Sequence, residues 1–164
     1  MQFLKLSRME RSDVLKSLQQ MPERLRFAFA SLRAEEAAQP GPGGAFAPVE
    51  QVWHLADLER EGFGERIDAL LARDAPHLPD FDGTAIAAAR NYRTRSLADG
   101  LNAFAQARRR NLLVLRTVEG EQWSRAGTQE GVGAVSLCDM PVLMFEHDAA
   151  HEAEIAAWRA HRSS

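Results

Sequence analysis

Near its C-terminal end the chain carries one apolar stripe that two histidines share. Leu137, Met140, Met144, His147, His151, Ile155 and Trp158 follow one another at steps of 3, 4, 3, 4, 4 and 3 residues. This is the spacing of one face of an α-helix. At about 100° per residue, side chains four apart are offset by only about 40°, so both imidazoles leave the same face. An unsatisfied buried polar group costs roughly 1–3 kcal/mol, so imidazoles in such a stripe need partners. Two arrangements meet that need. One is a divalent cation shared by both rings, in the geometry of the two histidines of an H-E-x-x-H motif; the other is a pair of separately hydrogen-bonded core histidines.

Similar stripes recur upstream. Val14, Leu18, Met21, Leu25, Ala28 and Leu32 mark a first helix. Pro22 lies inside it and is expected to break or kink it near Met21, or to open a second segment. Residues 39–45, rich in Pro and Gly, read as a loop. Pro48 opens a second helix that should run to about Ala72, with Glu50 in its first turn and Ala47 as a poor N-cap. Val49, Val52, Trp53, Ala56, Phe63, Ile67 and Leu70 form one apolar arc of this helix. Leu55, Leu58, Gly62 and Ala69 form a second, smaller one. His54 projects beside the smaller arc, so periodicity alone does not bring it into the core. A helix apolar on two sides must bury both, which points to a partner surface.

Residues 73–83 read as a connector and 84–91 as a short helix. Ser96 caps a third long stripe of Leu97, Leu101, Phe104, Arg108, Leu112, Leu115 and Val118. Arg108 interrupts it. Either its stem lies along the core edge with the guanidinium in water, or it is a cation facing a site. Residues 120–135 lack helical period and read as an irregular crossover. Ser136 and Asp139 form a capping-box pattern for the last helix, in which Pro141 should delete one hydrogen bond. No strand alternation of any length is visible. Four main helices with a long crossover before the last predict an all-α four-helix bundle, as a single domain over residues 1–164.

Composition removes several function classes. At 45% apolar and 26% charged residues the chain suits a folded globular protein. A formal net charge of −3 gives no broad basic surface, so a nucleic-acid partner has no support. Cys138 is the only cysteine, which excludes an intrachain disulfide and suits a reducing compartment. It is expected to be a buried structural thiol. The first residues lack a signal-peptide core, and no apolar run is long enough to span a membrane. The expected location is the cytoplasm.

Four segments together carry a family resemblance. They are Val52-Trp53-His54-Leu55-Ala56-Asp57-Leu58-Glu59, the stretch from Phe104 through Arg108 to Leu115, Glu121-Gln122-Trp123-Ser124-Arg125-Ala126-Gly127, and His147-Asp148 to His151. In their order and spacing the chain resembles the DinB-like (YfiT-like) superfamily over nearly its whole length. The resemblance implies a four-helix bundle, usually dimeric, with a divalent metal held by one histidine of the second helix and the pair on the last. By position these are His54, His147 and His151. It further implies a metal such as Zn or Ni and, in some members, a low-molecular-weight thiol as cosubstrate. The chain departs from the family in two places. Glu152 and Glu154 follow the last histidine and add negative charge, and Thr128-Gln129 replaces a threonine–histidine pair, so no fourth ligand is expected there.

Around this site, Asp148 reads mainly as an acid behind the ligands or at the surface, and less well as a general base. Asp57 could orient the His54 imidazole or could equally be solvated or capping. His77 and His161 are expected to be exposed. The leading function is a metal-dependent enzyme that activates a thiol or water for transfer to, or isomerisation of, a small electrophile. The alternatives are a non-catalytic, stress-related metal-binding module and a zincin-like hydrolase using Asp148.

Overall fold

The computed structural model describes residues 2–163. Four long helical rods make the bundle: α1 (Arg8–Phe29), α3 (Pro48–Asp57) running on into α4 (Glu65–Ala72), α6 (Leu97–Leu115) and α7 (Met140–Arg162). Two short helices, α2 (Ala34–Ala37) and α5 (Gly83–Arg90), lie in the connections. α3 packs against α6, and α1 against both α6 and α7. Among the described residues no helix is long and apolar enough to cross a membrane.

The helix starts follow local chemistry. Ser7 Oγ accepts from Glu10 N while Glu10 Oε2 accepts from Ser7 N, and Ser96 Oγ accepts from Asp99 N. Ala47 has no capping side chain, but Glu50 reaches back to accept from its N–H at 2.8 Å. Asp139 accepts from both the N–H and the hydroxyl of Ser136, and a 3₁₀ turn, Leu137–Asp139, leads into α7. Pro141 is the second residue of α7, where an N–H has no helical acceptor, so it removes no helical hydrogen bond, contrary to expectation.

Pro22 does not break α1, which runs through it. The proline deprives the Leu18 carbonyl, four residues back, of its helical donor. Arg108 Nη1 supplies a replacement, donating to Leu18 O at 3.0 Å. A residue from another helix thus replaces the hydrogen-bond donor that the proline lacks.

Between α3 and α4 the chain passes through a π-helical segment, Leu58–Gly64. The wider turn is held by Asn111 of α6, whose Nδ2 donates to the Glu59 carbonyl at 2.7 Å and to Glu59 Oε1 at 3.0 Å. The second apolar arc of this rod does not supply a partner surface. Leu55, Leu58, Gly62 and Ala69 are all buried within the chain. α5 and the 3₁₀ turn Tyr92–Thr94 pack on α3 and help close its outer side.

The crossover is more regular than expected. β1 (His77–Leu78) pairs parallel with β2 (Ala126–Gln129), which pairs antiparallel with β3 (Gly133–Ser136). Strands this short cannot show an alternation. The hairpin depends on Gly131 and Gly133, at φ of 74° and 102°, values that glycine adopts without strain. The sheet brings Gln129 against the bundle.

Candidate metal centre

α3 supplies His54, and α7 supplies His147 and His151 one turn apart. His54 and His151 are buried and His147 is half-buried. His147 Nε2 lies 3.4 Å from His54 Nε2 and 3.1 Å from His151 Nε2. A neutral ring nitrogen has one proton or one lone pair, not both. His147 Nε2 therefore cannot make a hydrogen bond to both neighbours, and the cluster is not satisfied by the three rings alone. Burial, and then the proximity of the other rings, holds all three below the usual imidazole range, at about 4 for His54 and His147 and about 3 for His151. At neutral pH they are uncharged and able to donate lone pairs. Three converging neutral imidazoles fit a divalent cation of the zinc type, with one side left open.

The outer contacts orient these rings. His151 Nδ1 meets Gln51 Oε1. A proton placed there leaves the lone pair on Nε2, facing the other rings. Gln51 is held in turn, its Nε2 donating to Glu154 Oε2 at 2.6 Å. Glu154 Oε2 is also 3.4 Å from His151 Nδ1. His54 is backed by Gly83, the first residue of α5, where a β-carbon would stand 2.5 Å from His54 Cε1 and 2.7 Å from Nδ1. Its Nδ1 is buried with no hydrogen-bond partner. Phe46 and Phe81 flank the His54 ring at centroid distances of 5.6 and 6.1 Å. Sequence reasoning missed Gln51 and Gly83. Gln51 was findable, since it lies three residues before His54 on the same helix; Gly83 comes from a distant connector and left no local signal.

Several expectations for neighbouring residues change. Arg108 is 1% exposed, with its guanidinium not in water but between two carboxylates. It donates to Asp148 Oδ2 and Oδ1 at 2.7 and 2.9 Å and to Glu59 Oε2 at 2.9 Å. Asp148 is buried with both oxygens engaged by Arg108, so it is neither a surface acid nor a free base, and the zincin-like arrangement loses its catalytic acid/base. Asp57 does not orient His54 and is not solvated. It is 1% exposed and accepts from Tyr92 Oη and Arg90 Nη1, both at 2.5 Å, and from Arg60 Nη2 at 3.1 Å. Of the two added glutamates only Glu154 reaches the cluster, because Glu152 pairs with Arg24. His77, in β1, and His161 are exposed, as expected. Cys138 is buried, its Sγ accepting from Leu4 N at 3.2 Å.

His54 and His147 form part of the wall of a cavity of about 310 Å³. Phe63, Phe81, Arg66 and Gln129 are among the other walls. The size suits a small organic molecule. The open side of the histidine cluster and this cavity are therefore one place.

Comparison with known proteins agrees with this architecture. No curated protein matches the chain. Among solved structures it is similar to YfiT from Bacillus subtilis, described as a probable metal-dependent hydrolase with an unusual four-helix bundle topology. The TM-score is 0.87 at 19% identity, covering 96% of this chain and 90% of that one. It is also similar to a histidine-to-alanine mutant of the mycothiol-dependent maleylpyruvate isomerase, with a TM-score of 0.74 at 10% identity. That match covers 96% of this chain and 64% of the isomerase. At these identities the likeness concerns the fold. The family model of the DinB superfamily matches residues 17–155, most of the bundle including all three histidines, and the chain belongs to that superfamily.

Proposed function

We propose that this protein is a divalent-metal-dependent enzyme whose ion is held by His54, His147 and His151. One observation carries the reading: three neutral Nε2 atoms converge on the wall of a cavity, and the single proton or lone pair of His147 Nε2 cannot serve both of its neighbours. Zn or Ni suits an all-imidazole set. When bound, such an ion supplies Lewis acidity that lowers the pKa of a thiol or water at its open side. The chain's own residues do the rest. Gln51 and Glu154 hold the His151 tautomer, Gly83 lets the His54 ring sit close to α5, and Phe63 and Phe81 exclude water from the cavity.

The reaction is transfer to, or isomerisation or hydrolysis of, a small electrophile, with a low-molecular-weight thiol or water as the nucleophile. The metal-dependent and thiol-dependent descriptions of the two similar structures support this class. A homodimer is part of the proposal, but its contact must use a surface other than the buried arc of α3 and α4; exposed Phe27 and Leu113 are on offer. Metal analysis of protein purified without a His-tag, followed by a turnover screen with several thiols, tests the reading. Less than a tenth of an equivalent of metal after ion soaking overturns it. A full equivalent with no turnover on any thiol or ester leaves a non-catalytic metal-binding module.

A further inference from the structure

Arg66 is a buried arginine with no hydrogen-bond or ion-pair partner among the described residues. It is 7% exposed, on α4, and it lines the cavity beside His54 and His147. Its Nε is enclosed with no hydrogen-bond partner, and the side chain makes no hydrogen bond or ion pair among the described residues. Its guanidinium carbon lies 5.9 Å from the centroid of the Phe63 ring. Arg108, more buried still at 1% exposed, has its two terminal nitrogens engaged by two carboxylates and a carbonyl, and its Nε, though without a hydrogen bond, lies 2.9 Å from Glu59 Oε1. In Arg66 only Nε is fully enclosed; the two terminal nitrogens, unpaired among the described residues, remain accessible to a ligand, and arginine keeps its proton at any ordinary pH. Asp80 acts on it only at a distance, beyond ion-pair contact.

The π segment brings Arg66 to this position. Arg66 follows His54 by 12 residues. On an unbroken α-helix it would point about 120° away from His54. A π bulge adds one residue to a turn, which takes out about 100° and returns Arg66 to the side of His54. The distortion at Leu58–Gly64, with Asn111 holding its freed carbonyl, therefore does something for the cavity that a regular helix cannot.

We propose that Arg66 is a specificity-determining residue that binds a carboxylate on the molecule occupying the cavity. This rests on the function proposed above and narrows its ligands to small carboxylate-bearing compounds. The carboxylate pairs with the planar guanidinium fork. A short carbon body lies against Phe63 and Phe81, and the reactive thiol or electrophilic end faces the histidines. Asp80, exposed on the rim, works against a second anionic group beside Arg66.

The test uses matched thiols, 3-mercaptopropionate and the uncharged 3-mercapto-1-propanol, titrated calorimetrically into zinc-loaded protein. The carboxylate thiol is expected to bind about tenfold tighter or more, a factor worth about 1.4 kcal/mol. Arg66→Met should abolish that preference, and Arg66→Lys should keep part of it. A second measurement follows the Arg66 Nε–H resonance of the wild-type protein, metal-free and zinc-loaded, during addition of propionate or 1-propanol. The resonance should move with propionate only. Equal affinity for the two thiols, a preference that survives Arg66→Met, or an Arg66 resonance indifferent to carboxylate overturns the proposal. Failure to bind zinc overturns the metal reading instead, and the metal-free resonance then decides Arg66 by itself. If Arg66→Met does not fold, Arg66→Lys and the wild-type resonance still decide whether Arg66 holds a carboxylate.

Discussion

Gly83 lies against His54 so closely that a β-carbon on it would come within 2.5 Å of the imidazole Cε1. The ring cannot retreat without leaving the cluster. Gly83→Ala should therefore weaken metal binding by roughly tenfold or more, while costing about 1–3 kcal/mol of stability from overpacking. Competition with a chromophoric chelator measures the first and urea unfolding the second. Unchanged metal affinity would mean that His54 is not a ligand.

Gln51 holds His151 from behind. Gln51→Leu keeps the volume and removes the acceptor. Loss of such a supporting partner typically costs about 10–100-fold in metal affinity. The bundle should remain folded, as judged by circular dichroism. An affinity within twofold of the wild type would remove Gln51 from the site.

Alanine substitution at four of the five histidines separates the cluster from the surface. His54→Ala and His147→Ala should each reduce bound zinc to a similar degree. His77→Ala and His161→Ala should leave one equivalent in place. Atomic absorption on dialysed protein reads the result, and metal retained by His54→Ala but lost by His161→Ala would refute the assignment.

Acid should destabilise the metal-free protein in a definite window. The three histidines are held at about 4, 4 and 3 in the folded state. Unfolded, they return to about 6.5. Above that pH they are neutral in both states and contribute nothing. Below it the unfolded chain takes up protons that the folded chain refuses, so stability falls as pH drops from about 6.5 towards 4. The slope is at most about 1.4 kcal/mol per pH unit for each histidine. Urea midpoints of the metal-free protein between pH 7 and 5 should fall, and fall less steeply in His147→Gln. Equal slopes would contradict the burial-based account.

Arg108 joins three helical rods through Asp148, Glu59 and the Leu18 carbonyl that Pro22 leaves without its helical donor. Arg108→Met should cost about 3–5 kcal/mol, because it strands two buried carboxylates. Where the variant still folds, it should bind its full complement of zinc, since Arg108 bonds to none of the histidines. Thermal unfolding together with metal content checks both halves.

The stripe from Leu137 to Trp158 was enough to place His147 and His151 on one buried face, because side-chain period within a helix is a local property. Four stripes and their connections determined the bundle, and the order and spacing of four segments determined the family resemblance. His54 was different. Its place on α3 put it beside an arc that looked like an interface, and only the packing of α5 and the Tyr92 turn on α3, with the rings of His147 and His151 against His54, made it core. Arg66 was invisible because a π segment changes helical phase without a mark that periodicity can read. Pro22 and Arg108 misled for a shared reason: each looks unfavourable alone, and each finds its partners on other helices, Arg108 giving Leu18 O its missing donor and itself pairing with Asp148 and Glu59. Local pattern shows which groups need a partner; only the tertiary structure decides which partner, since the donor and acceptor here are separated by 90 residues of chain.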